Sequence, residues 1–167
     1  MRTQVTETVL YSFDELSDTA KQSAIESLYD LNVDHDWWDY VYNDAEEVGC
    51  EINGFDLDRG AYCDLTCNDT EHTAHMIISD HGDTCDTHKT AVDYLTRRES
   101  IINQHDNDHE YELDQELDGC GIDFTQSLSE DYRIMLQREL DYLTSKEAII
   151  ETINCNEYEF TVDGKLF

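Results

Sequence analysis

Forty Asp and Glu stand against ten Lys and Arg in this 167-residue chain, a formal net charge of −30, and no other feature restricts its fold so strongly. A carboxylate without a cationic partner is costly to bury, so the acids must lie outside and the folded surface must be negative throughout. Residues 1–83 carry 20 acids and 3 bases, and residues 84–167 carry 20 and 7. The charge is spread along the chain and is not an acidic tail on a neutral body. Such a surface excludes direct binding to a nucleic-acid backbone, which needs clustered Lys and Arg, and docking on an anionic membrane. No apolar run approaches the roughly 20 residues of a membrane span. Met1-Arg2-Thr3-Gln4 begins without the apolar stretch of a secretion signal, so the expected location is the cytoplasm.

High charge with a mean hydropathy of −0.66 is also the composition of disordered chains, but the apolar residues here are periodic. Ser12 and Glu15 stand at capping-box spacing, and Ser17 caps a helix predicted over 17–31 by Ala20, Ala24, Ile25 and Leu28. A second helix is predicted over 34–48, with Trp37, Trp38, Val41, Tyr42, Ala45 and Val48 as its apolar stripe and Gly49 at its end. Helices over 86–104 and 127–143 follow the same rule, and Thr144 with Glu147 opens a short one through Ile153. Strands are expected at Val9–Tyr11, at Cys50–Asp58 with a bulge at Gly54, at Tyr62–Cys67, at 73–78, and near Tyr158–Val162. The expected class is α+β: a three-stranded antiparallel meander and short terminal strands packed against four to five helices, in a single acidic domain over 1–167.

Between Asp106 and Asp118 an acid occupies every second position: Asp106, Asp108, Glu110, Glu112, Asp114, Glu116 and Asp118. If extended, these carboxylates project from one face at intervals of about 6.6–6.8 Å, comparable to successive phosphates along a nucleic-acid strand. If helical, they spread around the cylinder, and Leu113 and Leu117 stack one turn apart. Either way the local repulsion is large, and selection for stability alone would intersperse Lys. Duplex DNA carries about one negative charge per 1.7 Å of axis, so a rigid acidic protein can present a similar field to a groove lined with Lys and Arg. Asp36, Asp39, Asp44, Glu46 and Glu47 on the aromatic-rich helix complete the expected partner-binding set. The competing reading is a solubilising surface with no partner.

Cys63, Cys67, His72, His75, His81, Cys85 and His88 invite a zinc reading, but Cys63 and Cys67 on one strand would lie roughly 13 Å apart, too far for one ion. No metal site is expected; a set made of His81, Cys85 and His88 stays open. A calcium loop starting at Asp106 fails because Tyr111 stands where glycine is required and Leu117 where the bidentate Glu belongs. Neither a nucleophile elbow, a phosphate loop nor a dinucleotide fingerprint is present. Asp56-x-Asp58-Arg59-Gly60 and Asp80-His81-Gly82-Asp83 read as a strand end with its turn and as a loop. No catalytic residue and no cofactor are expected. The six cysteines suggest free thiols in a reducing compartment, with Cys50, Cys63, Cys67 and Cys155 filling the core and Cys120 exposed in a turn.

Tyr11-Ser-Phe-Asp-Glu-Leu-Ser-Asp18, Trp37-Trp38-Asp-Tyr-Val-Tyr42 and Gly54-Phe-Asp-Leu-Asp-Arg-Gly60, with the ending Leu143-Thr-Ser-Lys-Glu-Ala-Ile-Ile-Glu-Thr-Ile153 and Asn156 to Phe167, resemble small acidic bacteriophage-encoded proteins. The resemblance covers about the first 60 residues and the last 25 and carries no catalytic residues. It implies a phage origin and a place in the bacterial host cytoplasm. In size and charge alone the chain also resembles the DNA-mimic inhibitors of restriction and CRISPR nucleases. The function expected is that of an anti-defence inhibitor occupying the DNA-binding groove of a host nuclease complex. The alternative is a protein-interaction module that binds a host protein through aromatic helix 34–48, without mimicry. A homodimer is open in both.

Overall fold

The computed structural model describes Arg2, residues 7–105 and residues 110–167. Its elements in chain order are β1 (Tyr11–Ser12), a 3-10 turn (Phe13–Glu15), α1 (Asp18–Ser27), α2 (Asp39–Glu47), β2 (Cys50–Asp56), β3 (Tyr62–Cys67), α3 (Thr70–Asp80), α4 (Asp86–Gln104), α5 (Glu110–Leu143), α6 (Lys146–Cys155) and β4 (Glu159–Phe160). The described residues are helix-dominated, and the expected three-stranded meander is absent from them. In its place are two separate two-stranded sheets, β1–β4 and β2–β3.

The segment predicted as the third strand is α3. Alternation of Ala74, Met76 and Ile78 competed with a helical set, Thr73, Ala74 and Ile77, and it is the helical set that is buried. The preceding residue decides between them, because Asp69 Oδ1 accepts the backbone N–H of His72 at 3.0 Å and so caps the first turn. The second departure is α5, which starts at Glu110 instead of 127. It passes through Gly119-Cys120-Gly121, the expected turn. A mid-helix glycine costs about 1 kcal/mol relative to alanine, and Gly121 has a packing reason to be there. A Cβ on it would lie 3.2 Å from the Thr70 hydroxyl, so α5 approaches α3 closely at this point.

The chain divides into two compact units, residues 1–37 with 139–167 and residues 38–138. In the first, β1 and β4 pair antiparallel, Tyr11 opposite Phe160 and Ser12 opposite Glu159. The core gathers Phe13, Leu16, Ala20, Ala24 and Ile25 with Ile149, Ile153 and Phe160. Glu15 accepts from the Ser12 backbone at 2.8 Å and from its hydroxyl at 2.9 Å, and Ser17 Oγ accepts the Ala20 N–H and caps α1. The cap of α6 is Ser145, whose hydroxyl accepts from Ala148 at 3.2 Å. Thr144, assigned that role from spacing, instead donates back to Leu140 O at 2.7 Å and finishes α5. Asn32 joins three segments, donating to Leu143 O and accepting from the Thr152 hydroxyl.

In the second unit, β2 and β3 form the expected hairpin, and the register slips between Ile52 and Gly54 as the sequence indicates. Val41 and Ala45 of α2 with Val48 at its C-terminal cap, Ile52, Cys63 and Leu65 of the hairpin, Ala74 and Ile77 of α3, and Phe124, Leu128, Tyr132 and Leu136 of α5 are buried. Tyr94 of α4 stacks on Phe124 with centroids 4.4 Å apart and shares a 2.9 Å hydrogen bond with Thr70. The Ser129 hydroxyl donates to the Cys63 carbonyl, tying α5 to β3.

Two cysteine expectations fail here. Cys50 and Cys67 are directly opposite in the hairpin, Cα atoms 4.3 Å apart, and form a disulfide. Cys120 is buried and Cys155 exposed, the reverse of the reading from sequence, because α5 continues through the glycines and Cys155 ends α6 on its outer face.

Candidate functional site

The acidic segment is helical over the part that is described. Asp106 and Asp108 lie outside the described residues, and Glu110 begins α5. Glu112, Asp114, Glu116 and Asp118 are exposed. Alternate positions on an α-helix are about 200° apart, and positions four apart rise about 6 Å. Glu112 with Glu116, and Asp114 with Asp118, therefore form two rows on opposed sides of α5. Leu113 and Leu117 are only half-buried between them. The described part of this segment does not present a single extended array. Its spacing along each row stays close to that of phosphates, while its like charges at i,i+4 repel.

On α2, Asp39, Glu46 and Glu47 are exposed. Asp36 is exposed as well, but it precedes the helix and belongs to the unit formed by the chain ends. Asp44 differs from the others. Its Oδ2 accepts the hydroxyl of Tyr132, a fully buried residue, at 2.9 Å, and its Oδ1 lies 3.6 Å from His81 Nε2. Burial, with the Asp44 charge beside it, pushes the Tyr132 hydroxyl well above its ordinary range, so it stays a donor. His81 Nδ1 is 2.7 Å from the hydroxyl of buried Thr87. Tyr132, Asp44, His81 and Thr87 thus form one chain linking α5, α2, the end of α3 and the start of α4.

Beside this chain lies a cleft of about 510 Å³, lined also by Asp86, Asp131 and Arg138. Asp131 accepts from the Thr90 hydroxyl at 2.7 Å, yet burial raises its carboxyl above the usual range. His81 is thus occupied by Asp44 and Thr87. Cys85 is exposed, and among the described residues no group of three or more His, Cys, Asp and Glu converges as a metal site requires. Asp56 Oδ1 accepts the Asp58 N–H at 2.8 Å, which makes that motif a turn.

The cations of the second unit are largely consumed within it. Residues 38–138 hold 25 Asp and Glu against six Lys and Arg. Lys89 and Arg138 both meet Asp86, Arg97 meets Asp123, Arg98 meets Glu71 and Arg133 meets Glu130. The aromatic helix is partly a packing device: Trp38 and Tyr42 set their rings edge-on to Phe55 at 5.6 and 6.3 Å.

Sequence reasoning missed the commitment of Asp44. Tyr132 falls at helical spacing with Leu128 and Leu136 on the apolar stripe of its helix, and a buried Tyr hydroxyl needs an acceptor; in a chain this acidic, the acceptor is readily a carboxylate. No helix of the described residues is long and apolar enough to cross a membrane. Searches of protein-family models, curated proteins and solved structures find no match to this chain.

Proposed function

We propose that this chain is a non-enzymatic phage anti-defence inhibitor, an acidic mimic of DNA that occupies the basic groove of a host nuclease or other DNA-binding protein. The observation that carries the reading is the pairing of cations just described. Five of the six Lys and Arg in residues 38–138 contact carboxylates of the same unit, so they offset neighbouring acids and leave the excess negative field to solvent. The exposed rows of α5 and the exposed acids of α2 add carboxylates at near-phosphate spacing on regular elements. A partner groove lined with Lys and Arg gains steering and counterion release from such a surface, as it does from DNA.

The test is affinity capture from nuclease-treated bacterial lysate, at low and high salt and with competing duplex DNA. A DNA-processing protein recovered at low salt and displaced by both treatments supports mimicry. A partner that salt and DNA both leave in place overturns it in favour of an apolar interface.

A further inference from the structure

The disulfide between Cys50 and Cys67 is asymmetric in its surroundings. Cys50 begins β2 and is only 4% exposed. Cys67 ends β3, is partly exposed, and lines an open groove of about 470 Å³ together with Thr70, Leu117, Gly121 and Ile122. On the far side of the bond the hydroxyl of Thr73, in a residue 1% exposed, lies 3.9 Å from Cys50 Sγ. One sulfur is therefore open to attack from the groove, and the other has a buried hydroxyl beside it that can donate to a thiolate.

We propose that this disulfide is a reversible thiol–disulfide exchange site, attacked at Cys67 and released at Cys50. The thiolate of an external thiol bonds to Cys67 Sγ as the Cys67–Cys50 bond breaks. Cys50 leaves as a thiolate, accepts the Thr73 hydroxyl hydrogen bond, and then takes a proton from solvent. A second external thiol attacks the mixed disulfide, freeing Cys67 as a thiol and leaving the reductant oxidised to its own disulfide. Two electrons pass to the protein pair, and the reductant is any thiol or dithiol small enough for the groove. A leaving thiol that is stabilised as its thiolate departs faster, which is the part Thr73 plays. The step is reversible because the remaining ladder, Glu51 opposite Thr66 and Ile52 opposite Leu65, keeps the two thiols facing each other. The link closes the open end of the hairpin, where α2 enters through Gly49 and α3 leaves through Asp69, so exchange switches that junction between a fastened and an unfastened form.

The experiment uses the folded full chain. Dithiothreitol is added without denaturant, samples are quenched with iodoacetamide, and alkylated cysteines are mapped by mass spectrometry. The exposed Cys85 and Cys155 are modified with or without reductant and serve as internal standards. The expected result is that Cys50 and Cys67 become alkylated under native conditions and that the thermal midpoint falls by roughly 10 °C. With 2-mercaptoethanol the trapped mixed disulfide is expected on Cys67. Thr73→Val, which keeps the shape and removes the hydroxyl, is expected to slow reduction several-fold; a variant that merely loosened the fold would speed it. Reduction only in urea, a mixed disulfide on Cys50, or an unslowed Thr73→Val would each overturn the proposal.

Discussion

Tyr132 donates its hydroxyl to Asp44 across 2.9 Å, and it does so from a side chain with no solvent exposure. One of the carboxylates that looked available to a partner therefore holds α2 to α5. Asp44→Ala should cost about 2 kcal/mol, since it strands a buried hydroxyl, and Tyr132→Phe about 1–2 kcal/mol. Urea unfolding followed by circular dichroism measures both. Equal stability of Asp44→Ala and wild type would show that the carboxylate is not needed inside.

Gly164 sits at φ +81°, and a Cβ built on it would lie 2.1 Å from the Ala20 carbonyl oxygen. Gly164→Ala combines left-handed strain with a backbone clash, and should lose at least about 2–3 kcal/mol. Gly60 has φ +78° with open space around it, so Gly60→Ala should cost only about 1 kcal/mol. The two thermal melts, compared side by side, separate clash from strain.

The paired rows of α5 give the mimicry reading a residue-level test. The double variant Glu112→Lys with Glu116→Lys, or Asp114→Lys with Asp118→Lys, should keep the helical signal and leave stability little changed, because the new Lys pair repels across i,i+4 much as the acid pair did. Against the partner captured at low salt, at least one pair should weaken binding about tenfold or more, through a slower association rate. If both pairs bind as wild type does, α5 is not the contact surface.

Protonation should act in opposite directions at two acids. Burial raises the Asp131 carboxyl, so its ionised form opposes folding, and that cost fades as pH falls through its folded value toward the ordinary one. Asp131→Asn should therefore stabilise the protein at pH 7 and converge with wild type in acid. Glu15 is held below its ordinary value by the Ser12 backbone N–H and then by the Ser12 hydroxyl. Its contribution is present above the unfolded value of 4.5 and disappears as pH falls through the lower folded one. Glu15→Gln should thus melt earlier at pH 7, with the gap closing below pH 4.5. Melting midpoints taken across pH 3–8 check both signs.

Much of the fold was legible where its cause is local. Helix 86–104, the bulge before Gly54, and the caps at Ser12 and Ser17 each follow from residues within about a turn of one another. The same near-neighbour rules misjudged 73–78, where two periods coincide over a short run, and 119–121, where glycines argue for a turn unless something across the chain rewards closeness. For the site, net charge and the identity of the acids could be read directly from residue counts. Which acids face outward depends on residues far apart in sequence: Tyr132 reaches Asp44 over 88 positions. The pairing of Cys50 with Cys67 is likewise a matter of hairpin register. Composition by itself determined that this protein must turn a negative surface to solvent, because unpaired carboxylates stay in water. Tertiary structure alone decided that Asp44 turns inward and that one cysteine pair closes, because a hydrogen bond or a disulfide forms only between groups that packing has already brought together.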